Sequence, residues 1–244
     1  MKKIITLFVG LIPIGIIRKL FLNLIGHKIS YKSKLGFNIL YISDIKLEER
    51  TSIGSFNLIA SKSLYLEKQS FIKRFNYFKG PFKVHLSYKS GISNNNKFRR
   101  ANYPISVGEA SLHLGKNSFI VSNHFIDLTK SVSFGDNSIL AGINTQLWTH
   151  GYYHANEGPD RIRIDGEIKI SNNVYVGSGC IFNPGVKVND AIHIGAGSVI
   201  SKDLTEKGMY VSQGLRFIKN DINTIKEKLH RVKDNGLVEH VYSK

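Results

Sequence analysis

The feature that most constrains the fold is a six-residue repeat of apolar side chains within residues 168–200. One series is Ile170, Val176, Phe182, Val188, Ile194 and Ile200, and a parallel series is Ile168, Val174, Cys180, Val186, Ile192 and Ser198. A flat strand alternates with a period of two and a helix with a period of 3.6, so neither fits. Two inward contacts followed by a turn do fit, and three such faces close a triangular coil. The repeat therefore predicts an all-β solenoid.

The same spacing occurs in two blocks further upstream. The first is Leu35, Tyr41, Leu47, Ile53, Ile59, Tyr65 and Phe71, and the second is Leu114, Ile120, Ile126, Phe134 and Leu140. Glycine follows the repeated residue at Gly36, Gly54, Gly115, Gly135, Gly177 and Gly195. Asparagine and proline fall between the contacts, where a tight corner needs a positive or a fixed φ. We therefore expect the solenoid to occupy residues 28–205.

Three segments depart from the repeat. Residues 76–106 lack the period of six and predict an irregular insert. Residues 147–167 contain Gly, Pro and charges, which predicts an extruded loop, the usual place for function in a solenoid. Residues 206–244 predict a tail with a helix, because apolar residues recur at helical spacing from Ile222 to Val232.

Charge is distributed unevenly along the chain. Residues 1–100 contain 19 Lys and Arg against 4 Asp and Glu, a net charge of +15, whereas residues 101–244 contain 15 and 14. No aromatic stacking motif or recognition helix accompanies the basic half, so a nucleic-acid partner is not expected. The single cysteine, Cys180, excludes an internal disulfide framework and fits a reducing, cytoplasmic compartment. Its inward repeat position predicts a buried apolar side chain and not a nucleophile.

Residues 1–27 form an N-terminal amphipathic segment, predicted to be helical. An uncharged apolar run from Ile4 to Ile17 is shorter than the ~20 residues that span a bilayer, and no signal-peptidase site follows it. Lysine and arginine flank the run, and apolar residues continue beyond it at helical spacing. Two interpretations stay open: a helix lying peripherally on the inner face of the cytoplasmic membrane, attracted by anionic lipid, and a helix docked on the core.

Two stretches carry a resemblance to a known family. "LGKNSFIVSNHFIDLTKSVSFGDN" (residues 114–137) has its glycine and Gly-Asp-Asn spacing, and "SNNVYVGSGCIFNPGVKVNDAIHIGAGSVISKD" (residues 171–203) matches its last coils nearly position for position. The chain resembles the hexapeptide-repeat acyltransferases, most of all the sugar O-acetyltransferases of bacterial surface polysaccharides. The resemblance implies a left-handed parallel β-helix, a homotrimer, acetyl-CoA as acyl donor, a saccharide acceptor and no metal.

The resemblance also implies a catalytic residue in the extruded loop. The related enzymes have a Thr-x-Thr-His sequence there, and Thr149-His150 fits it, so His150 is the expected general base. An imidazole, with an ordinary pKa of about 6.5, suits removal of a proton from a sugar hydroxyl and its return to the departing thiol. A second group must fix the tautomer, and Glu157, Asp160, Asp165 or a loop carbonyl could do so.

Further positions are expected to bind the two substrates. The acceptor-binding candidates are Asn123, His124, Trp148 and His154. The relatives' acceptor asparagine is replaced here by Val121, and Asn123 lies two positions beyond it. The positions that match the relatives' donor-binding residues, between two subunits, are Ser178, Ala196, Ser201, Lys202 and Arg216. A lysine suits this role because the donor's phosphates are polyanionic.

Other functions fit parts of the sequence. A metal hydratase on the same fold would need two loop histidines with four residues between them, whereas His150 and His154 have three. A non-catalytic scaffold explains the repeats but not the donor-site match. Within the acyltransferases, N-acylation of an amino or nucleotide-linked sugar is the alternative to O-acetylation.

Overall fold

The repeat residues line the inside of a left-handed β-solenoid in the computed structural model. The structure describes residues 1–159, 161–212, 216–218, 227, 230–231 and 242–243. Every member of the two series between residues 168 and 200 is buried, Cys180 and Ser198 included. The all-β, left-handed parallel solenoid is therefore confirmed, and its core is the continuous apolar interior of the coil stack.

Three parallel sheets form the faces of the solenoid. Face A consists of Lys28–Ile29, Asp44–Leu47, Ser63–Leu66, Lys83–Leu86, Ser111–Leu114, Val132–Phe134, Ile168–Ile170 and Lys187–Val188. Face B consists of Lys34–Leu35, Ser52–Ile53, Phe71–Ile72, Gly91–Ile92, Phe119–Ile120, Ile139–Leu140, Tyr175–Val176, Ile192–Ile194 and Gly208–Val211, with Arg216–Ile218 antiparallel at its end. Face C consists of Ile39–Leu40, Leu58–Ala60, Tyr77–Lys79, Lys97–Arg99, Phe125–Asp127, Gln146–Leu147, Ile181–Phe182 and Val199–Ile200.

The coils are not equally long. On face A, Lys46 pairs with Tyr65 and Tyr65 pairs with His85, so successive coils there take 19 and then 20 residues. Near the other end, Lys169 pairs with Lys187, which is a coil of 18 residues. Only the 18-residue coil is a multiple of six, so the early coils depart from the strict repeat.

The longer coils shift which residues face inward. The spacing of six wrongly places Tyr41, Tyr65 and Phe71 inside, whereas the fully buried residues there are Leu40, Leu66 and Ile72. Side chains alternate between the two faces of a strand, so one extra residue in a coil moves the inward set by one position. Leu47, Ile53 and Ile59 are buried as expected, because no extra residue intervenes among them.

Most of residues 76–106 form a regular coil, which corrects the predicted irregular insert. Tyr77–Lys79, Lys83–Leu86, Gly91–Ile92 and Lys97–Arg99 are all in register with their neighbours. Phe78 and Phe98 stack inside the solenoid with ring centroids 4.5 Å apart. The coil escaped notice because its 20 residues break the period of six. The irregular part is confined to residues 101–109, an excursion between face C and face A.

The glycines that follow the inward face-B residues permit close packing of coils. A Cβ added to Gly36 would lie 2.6 Å from the backbone carbon of Gly54, and one added to Gly115 would lie 2.5 Å from that of Gly135. Left-handed φ values occur instead at the corner that precedes face C, for example at Asn123 (φ 57°). Glycine is thus selected here by the distance between coils and not by φ.

Two helices cover the open end of the first coil. They are α1 (Lys2–Gly10) and α2 (Gly15–Leu24). Leu22 is fully buried, and the buried Arg18 donates to the backbone carbonyls of Ile12 and Leu35. The opposite side of the helix pair is apolar and exposed, so docking on the core describes only one side of this segment. Among the described residues, no helix has both the length and the hydropathy needed to cross a membrane.

The predicted C-terminal helix falls mostly outside the described residues. Within its range the structure describes Glu227, which is helical, and His230–Arg231, which is a strand paired antiparallel with Tyr242–Ser243. A helix that continues past residue 230 therefore differs from the structure at those two residues.

Candidate active site

The extruded loop is a β-hairpin whose base is anchored to face C. His150–His154 pairs antiparallel with Arg161–Asp165. Thr149, just before the hairpin, is fully buried, and its hydroxyl donates to the Asp127 carboxylate at 2.6 Å. The same hydroxyl accepts the backbone N–H of Lys130 at 3.0 Å. His150, the first residue of the hairpin, is therefore held at a fixed position over face C.

His150 and Asp127 form a hydrogen-bonded pair. Nδ1 of His150 lies 2.8 Å from Oδ2 of Asp127, whose side chain is 7% exposed. The other carboxylate oxygen accepts the hydroxyl of Thr129 at 3.0 Å. A carboxylate only accepts, so Nδ1 carries the proton and Nε2 keeps its lone pair. The His150 side chain is 28% exposed, and Nε2 has no hydrogen-bond partner among the described residues.

Asp127 is the residue that the sequence analysis missed. Glu157 is exposed, Asp165 forms an ion pair with Arg163 at 2.8 Å, and Asp160 lies outside the described residues. A signal was present in the repeat: Ile126 pairs with Leu147 one coil later, so the next residue, Asp127, lies beside the start of the extruded loop. Strand alternation points it outward, beneath the hairpin.

A cleft of about 380 Å³ opens beside His150. Its apolar wall consists of Phe125, Trp148 and Tyr152, with the Phe125 and Trp148 ring centroids 4.8 Å apart. Residues 101–109 form the opposite side, and Arg163 of the hairpin donates to a backbone carbonyl of that segment. The two departures from the solenoid thus meet over face C and enclose the imidazole.

A second cavity, of about 500 Å³, adjoins the first at Phe125 and Trp148. It is lined by Asn95, Lys97, Asn123, His124, Phe125, Asn144, Thr145, Gln146 and Trp148. The structure therefore brings together three of the four acceptor-binding candidates. The fourth, His154, is exposed on the hairpin and is not among the described residues that line either cavity.

His124 has a structural role at the corner before face C. Its Nδ1 accepts the backbone N–H of Thr145 at 3.1 Å, and its own backbone N–H donates to Asn96 at 3.0 Å. This position continues a ladder of buried asparagines, namely Asn38, Asn57, Asn76 and Asn96. Burial lowers the pKa of His124 to about 4. The side chain is therefore neutral, and only part of it reaches the cavity wall.

The donor-binding candidates lie along the last coils, beyond the hairpin. Ser178 and Ala196 occupy the same corner in successive coils, where the N–H of Gly197 donates to the carbonyl of Ser178 at 2.8 Å. Ser201 and Lys202 follow the last face-C strand and are exposed. Arg216 begins a strand, and its side chain lies outside the described part of the structure. The described residues that line the two cavities do not include these positions.

Comparison with known proteins adds a relationship to this geometry. No protein-family model matches the sequence. The galactoside O-acetyltransferase of Escherichia coli is 34% identical over 101 residues, which cover 39% of this chain and 47% of that protein. A chloramphenicol acetyltransferase of Morganella morganii is 28% identical over 145 residues, which cover 53% and 69%. The chain spans about half the length of the curated relatives it matches.

A solved structure shows the same fold. The polySia-specific acetyltransferase NeuO superimposes with a TM-score of 0.56 over 80% of this chain and 82% of that chain, at 18% identity. The six-residue repeat, the left-handed coil and the similarity to named acetyltransferases together fit the hexapeptide-repeat acyltransferase superfamily, which includes sugar O-acetyltransferases.

Proposed function

We propose that this protein is an acetyl-CoA-dependent O-acetyltransferase that modifies a sugar of a bacterial surface polysaccharide or of its lipid-linked precursor. The observation that carries the proposal is the 2.8 Å contact between His150 and Asp127 at the edge of an open cleft. The similarity to a galactoside O-acetyltransferase supports the same reaction class.

His150 acts as the general base in this reaction. Asp127 holds the proton on Nδ1, so the lone pair of Nε2 takes the proton of the sugar hydroxyl as its oxygen attacks the thioester carbonyl. The tetrahedral intermediate then collapses, the carbon–sulfur bond breaks, and the imidazolium returns the proton to the thiolate. The products are the O-acetyl ester and free coenzyme A. Asp127 stabilises the imidazolium that exists between the two transfers.

The donor binds along the last coils, between two subunits of a homotrimer. Ser178, Ala196, Ser201 and Lys202 lie on an open corner and edge, where a lone subunit would bury little of a large ligand. A second copy against this side closes the cleft. Light scattering should give three copies per particle, and a monomer that still turns over would contradict the trimer.

The function is tested on glycans of the producing cell. Mass spectrometry of surface glycans with and without this protein should reveal an acetyl group that depends on it and on His150. Mild base removes O-acetyl esters but not N-acetyl amides, so a base-stable group would replace O-acetylation by N-acylation. Glycans that are identical in the presence and absence of the protein would reject the acyltransferase.

The helix pair α1–α2 attaches the protein peripherally to an anionic membrane. Its outer side exposes Phe8, Ile16 and Leu24 at 67%, 66% and 70%. The first acidic residue of the chain is Asp44, so the lysines and arginines around this surface are unopposed by nearby sequence. An apolar surface with basic support gives stable attachment to anionic lipid, at ~1 kcal/mol for each Lys or Arg close to the surface.

Point substitutions test the attachment better than truncation. Deleting residues 1–25 should release the protein from anionic liposomes, but it also uncovers Leu40 and the rest of the first coil. The triple variant Phe8→Ser, Ile16→Ser, Leu24→Ser changes exposed side chains only and should stop co-sedimentation. Phe56→Ser, a 60% exposed aromatic elsewhere, is the control and should sediment normally. Unchanged sedimentation of the triple variant would refute membrane attachment through this surface.

A further inference from the structure

The cleft beside His150 has an excess of positive charge. Four cationic side chains line it, namely Lys79, Arg99, Arg100 and Arg163. The one carboxylate among the described lining residues is Asp127, which is 5% exposed and already bonded to His150. Cations gathered without counter-charges repel one another, and an anion between them relieves that repulsion. The excess is therefore a feature to which a ligand has to respond.

Two of the four cations already have partners in the fold. The buried guanidinium of Arg100 donates to the backbone carbonyl of Gly108 at 2.7 Å. Arg163 forms a 2.8 Å ion pair with Asp165 and also donates to a carbonyl of residues 101–109. These two side chains join the excursion and the hairpin, so the fold accounts for them.

Arg99 and Lys79 remain. They are register partners on adjacent strands of face C, and Arg99 is in turn the register partner of Asp127. Neighbouring strands lie about 4.8 Å apart, so the two cations stand roughly 5 and 10 Å from Asp127 along one outward column. Both are exposed, and neither forms an ion pair with a described carboxylate. Nothing in the described fold uses their charge.

The position of the pair separates it from the expected donor site. Arg99 and Lys79 lie on coils that precede the hairpin, whereas Ser178 and Ala196 lie on coils that follow it. The hairpin and His150 stand between the two places. An anion bound by Arg99 and Lys79 therefore belongs to the acceptor and not to the phosphates of the donor.

We propose that the acceptor is an acidic saccharide, whose carboxylate or phosphate binds Arg99 and Lys79 while one of its hydroxyls reaches Nε2 of His150. The inference rests on the proposed function, because it names the substrate class of the same site. The acid group lies on the reacting sugar or on the next sugar of the chain. The aromatic wall at Phe125 and Trp148 takes the apolar face of a ring. Arg99 presents the planar fork that suits both acid groups.

The test compares acidic saccharides with matched neutral ones. The probes are oligosaccharides that carry sialate, glucuronate or galacturonate, each with its carboxyl-reduced form, and a hexose 6-phosphate with its parent hexose. Binding to the full-length protein is measured by saturation-transfer NMR and calorimetry at low and high salt. We expect at least one acidic probe to bind about tenfold or more tightly than its neutral form, as one charged hydrogen bond provides, and to weaken with salt. The carboxylate and phosphate arms tell the two sources of the anion apart.

Variants locate the effect within the cleft. The double substitution Arg99→Gln, Lys79→Gln should abolish the preference for the acidic probe while leaving acetyl-CoA affinity unchanged. Lys116→Gln removes an exposed cation from another corner and should keep the preference. Equal binding of every acidic and neutral pair by the wild type, or a preference that survives the double substitution, would overturn the proposal. Acetyl transfer to neutral sugars with no acidic preference rejects this inference alone, whereas acidic binding without any transfer rejects the enzyme and leaves the binding site.

Discussion

The last coils and the middle coils share one interior but differ on their outside. Residues 168–200 keep coils of 18 residues without insertion, whereas the coils between residues 97 and 167 are interrupted by residues 101–109 and by the hairpin. Ile126 and Phe182 are equally buried inside the two regions. Only the middle coils bury an outward-facing carboxylate, because only there does an insertion cover the sheet. The comparison teaches that the repeat builds the support and that its interruptions create the enclosed polar site.

The largest expected effect comes from removing the base in the interrupted region. His150→Ala should lower kcat by ~10²–10⁴-fold and leave the affinity for the acyl donor nearly unchanged, because the imidazole takes a proton and does not hold the nucleotide. Steady-state kinetics and donor titration measure both. His154→Ala, on the same hairpin and exposed, is the matched control and should retain activity. Full activity of the His150 variant would transfer the role to another residue or end the enzyme hypothesis.

Asp127→Asn tests whether the buried carboxylate orients the base. An amide can donate to Nδ1 and move the imidazole proton to Nε2, so we expect kcat to fall on the order of 10²-fold. A purely structural role would change the melting temperature without this loss, so thermal unfolding is measured alongside the rate. An Asn variant with wild-type kcat at a normal melting temperature would contradict the pairing drawn from the 2.8 Å contact.

The corner before face C provides a second contrast between early and late coils. The early and middle coils fill it with hydrogen-bonded asparagines and then His124, whereas the last coils have Cys180 and Ser198 there. A second buried histidine, His27, joins α1 to the first coil: Nδ1 accepts the N–H of Ile45 at 3.1 Å and Nε2 lies 2.9 Å from the Thr6 hydroxyl. The late coils have no comparable buried histidine among the described residues.

Acid should therefore destabilise the early and middle coils. Burial, reinforced by the charge of Lys2, lowers the pKa of His27 to about 4, and burial lowers the pKa of His124 to about 4. The unfolded chain binds these protons first, so stability is complete above about pH 6.5 and declines as the pH falls toward 4, by up to about 3 kcal/mol for each histidine. Urea unfolding at pH 7 and pH 4.5 measures the change.

His124→Asn is the variant that sharpens the pH prediction. Asn96 occupies the equivalent position one coil earlier, so an amide fits the ladder and cannot titrate. The variant should keep its stability at neutral pH and lose part of the decline between pH 6.5 and 4.5. An unchanged decline would show that His124 is not responsible for the acid sensitivity.

The smallest expected effect concerns the regular coils, which we assign to the donor. Lys202→Gln should raise the KM for acetyl-CoA about three- to fivefold with kcat unchanged, because an exposed ionic contact contributes ~0.2–1 kcal/mol. Lys187→Gln, an exposed lysine on face A of the neighbouring coil, is the control and should leave KM unaltered. A fall in kcat with constant KM would erase the division between supporting coils and catalytic coils.

The strict repeat could be predicted because it is local in sequence. Each inward residue from Ile168 to Ile200 is specified by neighbours six positions away, and all of them are buried. The early coils were only partly predictable, since extra residues in coils of 19 and 20 shifted the inward positions to Leu40, Leu66 and Ile72. His150 was expected from a resemblance, and the cleft that surrounds it was not foreseen.

The sequence by itself determined the solenoid, the interruption at residues 147–167 and the concentration of charge in the first 100 residues. The tertiary structure alone decided that Asp127 pairs with His150, that Arg99 and Lys79 share a column with that carboxylate, and that the helix pair turns its apolar side outward. The physical reason is distance along the chain. A periodic pattern expresses contacts within one coil, whereas each of these arrangements depends on the stacking of coils whose lengths differ.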